Sequence, residues 1–207
     1  SHALYPVDQH LKTALLMALL DHADTESVLV FTRTKIRAKR VAQQLAKGGY
    51  RSTSLQGNLS QGQRQAALDG FRNGSFKVLV ATDIAARGID VSCISHVINY
   101  DMPDTVDAYT HRIGRTGRAA KTGDAFTLIT RDDTTMVRNI ENVTGMKLEQ
   151  RTLEGFNYNE PRTSAAAEHT HRQPQRHRKH EKYNSNCDIF PSRTHVLRQA
   201  QDDRVRL

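Results

Sequence analysis

The chain has 207 residues, room for one large domain or one and a half average ones, and so for a core of ordinary size. Its formal charge of +8 and pI near 9.7 point to a polyanionic partner, of which nucleic acid is the commonest kind. No apolar run approaches the roughly 18 residues of a membrane span and no signal-peptide pattern opens the chain, so a membrane role is excluded and the chain reads as cytoplasmic. Cys93 and Cys187 lie far apart in no metal-ligand spacing, which suits free thiols in a reducing compartment and no metal site. Ser1-His2 reads as a cloning remnant ahead of an excised piece.

In chain order, Leu11, Leu15, Met17, Ala18 and Leu19 predict a helix within Asp8 to His22. Ser27 to Thr32 is a β-branched apolar run of the kind buried on both faces of a parallel sheet. A helix follows from about Thr34 to Lys47, with Ala38, Val41, Ala42 and Leu45 inward and Gly48-Gly49 as its stop. Arg51 to Leu55 predicts a weaker strand. After the turn at Gly57-Asn58, Ser60 and Gln63 form a capping-box pattern that opens a helix carrying Ala67, Leu68 and Phe71. Phe76 to Thr82, His96 to Tyr100 and Asp124 to Thr130 predict three more strands. Between the last two, Asp104 reads as the N-cap of a helix through Val106, Tyr109 and Ile113, which Gly114 lets the chain leave. A final helix spans about Asp133 to Thr144.

Strand then helix, repeated with short turns, predicts an α/β fold, an open parallel sheet flanked by helices on both faces. Ligands in such folds sit beyond the carboxyl ends of the strands, which here lead into Thr32 to Lys35, Gly57, Thr82 to Asp90 and Asp101 to Asp104. From roughly Glu160 the texture changes to His, Arg, Gln and Lys without periodicity. The last 47 residues carry ten Lys/Arg against five Asp/Glu. They predict a disordered basic tail, able to hold RNA through phosphate contacts or to recruit a protein.

The densest functional signal is His111-Arg112-Ile113-Gly114-Arg115-Thr116-Gly117-Arg118, which puts arginines on a Gly-punctuated turn after a helix. Their planar forks can bind phosphate oxygens bidentately. A solvated basic loop at a helix C-terminus accounts for the same residues taken alone.

Four blocks carry a resemblance. They are Val28 to Lys35, Gln56-Gly57 with Gln61-x-x-Arg64, Ala81-Thr82-Asp83-Ile84-Ala85-Ala86-Arg87-Gly88-Ile89-Asp90, and His111 to Arg118. In this order and spacing the chain resembles the C-terminal, second RecA-like domain of DEAD-box ATP-dependent RNA helicases, most of all the bacterial RhlE-type branch. The match covers about Leu4 to Leu153. It implies a helicase domain over residues 1–155 and a basic tail over 156–207.

The resemblance also implies roles. Arg115 and Arg118 match the arginines that reach the γ-phosphate of ATP across a domain cleft. His111 matches a link between the nucleotide site and the opposite domain. Asp90 matches a ribose contact, and Gly88 a close backbone approach. Thr34, Gly57, Gln61, Arg64 and Thr82 match the site for the sugar-phosphate backbone of single-stranded RNA, with Gln61 orienting Arg64 and Arg112 structural. Taken singly, Thr34 is equally a helix cap, Arg64 a surface residue and Asp90 a turn closer.

The chain has no G-x-x-x-x-G-K-[ST] cradle and no Asp-Glu-Ala-Asp, so it lacks a nest for phosphates and a carboxylate for Mg²⁺. ATP and Mg²⁺ are therefore expected to be held by an N-terminal RecA-like domain of the same polypeptide, with neither bound to this piece alone. Two alternatives share the fold: a non-catalytic RNA-binding adaptor, and a helicase domain acting on DNA.

Overall fold

A computed structural model of the chain describes residues 2–23, 25–87, 94–116 and 123–161. The chain divides into two units, Ser1–Ser164 and Ala165–Leu207. The architecture below is that of the first; the tail expected to be disordered lies outside the described residues.

Seven strands form one sheet: β1 (His2–Pro6), β2 (Val28–Phe31), β3 (Ser52–Leu55), β4 (Val78–Ala81), β5 (His96–Asn99), β6 (Asp124–Ile129) and β7 (Glu149–Gln150). Their order is β3-β4-β2-β5-β6-β1-β7, and every pairing is parallel. β2, β4 and β5 are buried along their whole length. A strand covered on both faces needs apolar residues at odd and even positions alike, which is why Val28-Leu29-Val30-Phe31 and Val78-Leu79-Val80-Ala81 show no alternation. Phe31 stands opposite both Ala81 and Asn99, so these three strands end level.

Helices α1 (Lys12–His22) and α2 (Lys35–Lys47) cover one face. They set Leu15, Leu16, Leu19, Ala38, Val41 and Leu45 in one cluster with Val28, Val30, Val78 and Val80. On the other face, α3 (Gln61–Arg72) and α4 (Asp83–Ala86) bring Leu68, Phe71 and Ala85 into a cluster with Leu29, Phe31, Leu79 and Ala81. Beside them, α5 (Val106–Ile113) and α6 (Thr134–Thr144) pack Tyr109, Val137 and Ile140 with Leu4 and Ile129. Each large side chain buried in this way contributes about 1.5–3 kcal/mol of transfer free energy. Phe156 and Tyr158, past the last strand, pack against the α1/α2 cluster, and the Tyr158 hydroxyl accepts from Leu153 N–H.

Several local expectations are corrected. His2 belongs to a strand, β1, which sequence reading lacks, as it lacks β7. The first α-helix begins at Lys12; Asp8 to Leu11 form a preceding turn in which Leu11 N–H donates to Asp8 C=O. The cap of α5 is Thr105, whose Oγ1 accepts from Ala108 N–H at 3.1 Å, and Asp104 lies one residue outside it. Gly114 keeps a negative φ of −67°, so the chain leaves α5 without left-handed backbone there. Glycines that do use that freedom just past a helix are Gly49 after α2, Gly74 after α3 and Gly145 after α6, at φ 90°, 77° and 69°.

Candidate functional site

Because every strand points the same way, the segments after β2, β3, β4 and β5 all emerge at the carboxyl edge. Thr34 is exposed there and caps α2, its Oγ1 accepting from Arg37 N–H at 3.2 Å. Lys35 reaches the turn after β3, where its Nζ donates to Asn58 Oδ1 at 3.0 Å. Gly57 in that turn is exposed, and a Cβ built on it would meet nothing within 4 Å. Thr82 stands at the N-cap position of α4 without a capping bond, so its hydroxyl is not committed to the helix as that of Thr34 is. Arg64 is half-buried and donates from Nη2 to Ala85 C=O at 2.9 Å, with Arg87 C=O at 3.5 Å. Gln61 does not orient it: among the described residues the two side chains share no hydrogen bond, and main-chain carbonyls fix the guanidinium instead.

A cleft opens between α4 and α5. Phe31, Asp83, Ala86 and Arg112 line it together with Arg87, Ala108, His111 and Arg115. Arg112 is 2% exposed and fully engaged. Its Nε and Nη2 donate to the two carboxylate oxygens of Asp83 at 2.6 and 2.7 Å. Its Nη1 donates to Asp101 C=O at 2.8 Å and Asn99 Oδ1 at 3.2 Å. The guanidinium also lies 5.0 Å from the centroid of the Phe31 ring. A bidentate pair of this kind fixes orientation as well as distance. One turn of chain further on, Thr116 Oγ1 donates to Ile94 C=O at 3.0 Å and pins the segment that carries Arg115. Two arginines three residues apart thus differ: Arg112, in the last turn of α5, locks the helix to the sheet, and Arg115, in the turn just past Gly114, lines the cleft.

Thr34, Gly57 and Thr82 therefore stand on one edge, and His111 and Arg115 on the adjoining cleft. Gly88, Asp90 and Arg118 lie outside the described residues. Arg87 and Asp83 also line the cleft, while Asp101 and Lys12 are buried behind the strand ends; the sequence singles out none of the four as a site residue. Lys12 is 2% exposed and donates from Nζ to Tyr100 C=O and Leu128 C=O at 3.0 and 3.1 Å. Burial pushes its pKa down, against the pull of Asp101 and Asp133. The signal available for Asp83 was its place directly after Thr82 at a strand end; for Lys12, which opens an apolar helix, there was none.

Arg87 and Arg115 give the cleft a cationic front that suits an anionic ligand. Among the described residues no group of three or more His, Cys, Asp or Glu is placed to hold a metal ion, and no helix is long and apolar enough to cross a membrane.

Residues 11–120, more than half of the chain, match the model of the helicase conserved C-terminal domain. The DEAD-box ATP-dependent RNA helicase CshA of Bacillus subtilis is 45% identical over 144 residues, covering 70% of this chain and 29% of the relative. The chain thus spans less than a third of the length of such relatives. Among solved structures, E. coli DEAD-box protein SrmB bound to regulator of ribonuclease activity A superposes with a TM-score of 0.72 at 36% identity. That match covers 79% of this chain and 97% of that one. S. cerevisiae Dbp5 bound to RNA and ADP BeF3 gives 0.68 at 30% identity, covering 73% and 41%. The chain belongs to the helicase conserved C-terminal domain family, as a DEAD-box C-terminal domain.

Proposed function

We propose that this domain works as half of an ATP-dependent RNA helicase, closing with an N-terminal RecA-like domain of its own polypeptide around ATP and single-stranded RNA. The observation that carries this reading is the division of labour at the end of α5, where Arg112 in the last turn is spent on holding the helix while Arg115 in the turn that follows lines a cleft beside the strand ends. On closure Arg115 and Arg118 reach the γ-phosphate and stabilise charge as phosphoryl transfer proceeds. His111 links the cleft to the opposite domain. Asp90 meets the ribose and Gly88 lets the backbone approach. ATP and Mg²⁺ are held mainly by the N-terminal domain, which supplies the phosphate cradle this chain lacks.

On the carboxyl edge Thr34, Gly57, Gln61, Arg64 and Thr82 hold the sugar-phosphate backbone of RNA. Such contacts grip without reading sequence. Arg64 does so from a guanidinium already anchored on α4, which supports a rigid contact. The finer readings belong to the same proposal: a RhlE-type enzyme, cytoplasmic, with a division near residue 155 between the domain and a basic tail that adds RNA or protein contacts. Phe156 and Tyr158 are then the docked start of that tail.

The test joins this domain to its N-terminal partner and measures ATP hydrolysis with and without RNA, and with DNA of the same length. The expected result is turnover that needs both domains and responds to RNA over DNA, with no hydrolysis by the 207-residue chain alone. Equal stimulation by DNA supports the DNA-acting alternative, and no turnover in the joined protein supports the adaptor.

A further inference from the structure

Asp101 is 3% exposed, yet it touches both halves of the site. Its Oδ2 accepts from Arg33 N–H at 2.9 Å and its Oδ1 from Arg37 Nη1 at 2.6 Å. Arg33 and Arg37 bracket Thr34, and the Arg37 N–H is the donor that Thr34 Oγ1 receives. The Asp101 side chain therefore holds the segment that presents Thr34 at both ends. On its other side, Asp101 C=O accepts from Arg112 Nη1 at 2.8 Å. Arg112 in turn grips Asp83, next to Thr82, and locks α5 ahead of Arg115.

We propose that Asp101 is a positioning residue that couples the Thr34 segment on the RNA edge to α5 on the nucleotide cleft, a role that rests on the function proposed above. Its neighbours make the link stiff. Tyr100 and Met102 are buried on either side, and Lys12 holds Tyr100 C=O. A displacement of the Thr34 segment is then passed to Arg112 rather than absorbed by the main chain at Asp101. Because packed, hydrogen-bonded groups have few alternative arrangements, a ligand that fixes one end biases the other. Coupling of this kind is reciprocal in the binding free energies of the two ligands.

The charge on Asp101 is what the coupling needs. Asn in its place still offers an oxygen to Arg33 N–H but loses the ion pair with Arg37, while the main-chain acceptor for Arg112 remains. The effect falls on the connection, not on either site by itself.

The experiment uses the domain joined to its N-terminal partner. It measures the affinity for a short fluorescent oligouridylate with Mg²⁺, in the presence and absence of a non-hydrolysable ATP analogue. The ratio of the two dissociation constants is the coupling. Asp101→Asn is expected to lower that ratio about tenfold, with RNA affinity in the absence of nucleotide changing much less. Arg37→Met, which leaves the Asp101 carboxylate with Arg33 N–H alone and is therefore checked for folding by urea unfolding, is expected to lower it in the same direction by a smaller factor, and Arg37→Lys to restore most of the loss. A ratio unchanged in Asp101→Asn and Arg37→Met overturns the proposal, as does an equal loss of affinity with and without nucleotide, the mark of a merely structural role. A ratio of one in the unaltered protein overturns the proposed function itself, and the coupling with it.

Discussion

At the carboxyl edge of the sheet Lys12, Asp101 and Arg112 are buried to within 2–3% of full enclosure, and their charges are met by carbonyls, an amide and one another's neighbours. At the amino edge the links are mostly neutral. Ser95 Oγ donates to Ser27 C=O at 2.8 Å, Ser52 Oγ to Ala42 C=O at 2.8 Å, and the Tyr50 hydroxyl to Asp21 Oδ1 at 2.7 Å. Burying an ion costs several kcal/mol that its partners must offset, so a neutral link is the cheaper way to tie a strand end. The carboxyl edge carries that cost where Thr34, Thr82, His111 and Arg115 need fixed mounts. The difference teaches that the buried charged scaffold and the side chains proposed to meet ligands are separate sets of residues, even when, as with Arg112 and Arg115, they are close neighbours in the chain.

The sharpest way to break that separation is to delete one member of each set at the end of α5. Arg115→Ala, in the joined protein, is expected to cut RNA-stimulated ATP hydrolysis about 10³-fold or more, while the unfolding free energy of the domain falls by less than about 1 kcal/mol. Arg112→Met should do the reverse in the isolated chain. It leaves Asp83, Asn99 and Asp101 C=O without their donor, a loss of about 3 kcal/mol. That is the lower end for a buried pair, because Asp83 keeps 42% of its side chain in solvent. If Arg115→Ala unfolds the domain and Arg112→Met does not, scaffold and function have been assigned to the wrong arginines.

A smaller effect separates two roles within a single residue. Thr34 caps α2 and also faces the edge assigned to RNA. Thr34→Asp keeps a capping oxygen and puts negative charge at a helix N-terminus, so stability should change by less than about 0.5 kcal/mol. The same carboxylate repels a phosphate, and RNA affinity should fall about tenfold, the worth of one charge-assisted hydrogen bond. Unchanged RNA affinity, read by fluorescence anisotropy, would leave Thr34 as a cap alone.

The legible parts of the molecule are those written in periodicity. The runs Val28–Phe31 and Val78–Ala81, the capping box of Ser60 with Gln63, and the stop at Gly48-Gly49 could all be read directly. β1 escaped because His2–Pro6 has no β-branched residue and ends in proline, and becomes a strand only through pairing with β6 and β7. The polar pair Glu149–Gln150 escaped for the same reason. The charged mounts were the least legible. Lys12, Asp83 and Asp101 look like ordinary surface residues until the chain brings the carbonyls of Tyr100 and Leu128, or the fork of Arg112, to meet them. Arg112 was read as structural, and its bonds give that reading a mechanism.

Alkaline pH offers the finest comparison, because Tyr50 at the amino edge and Lys12 at the carboxyl edge respond with opposite sign. Burial, then the hydrogen bond to Asp21 and its charge, push Tyr50 from its ordinary 10.0 up to about 12. Between those values the unfolded chain loses this proton first, so the folded state binds more protons and stability declines as pH rises. Tyr50→Phe should therefore flatten the fall in the urea midpoint between pH 10 and 12. A residual slope remains, because burial also raises Tyr5, Tyr100 and Tyr109. Lys12 works the other way. Burial lowers its pKa below the ordinary 10.5, so in the window just beneath that value the unfolded chain binds more protons and stability rises with pH. Lys12→Met removes this rise and makes the alkaline decline begin earlier. Both variants are measured by urea unfolding at half-unit steps from pH 8.5 to 11.5. Should both shift the profile in the same direction, the assignment of a buried cation to one edge and a neutral phenol to the other fails.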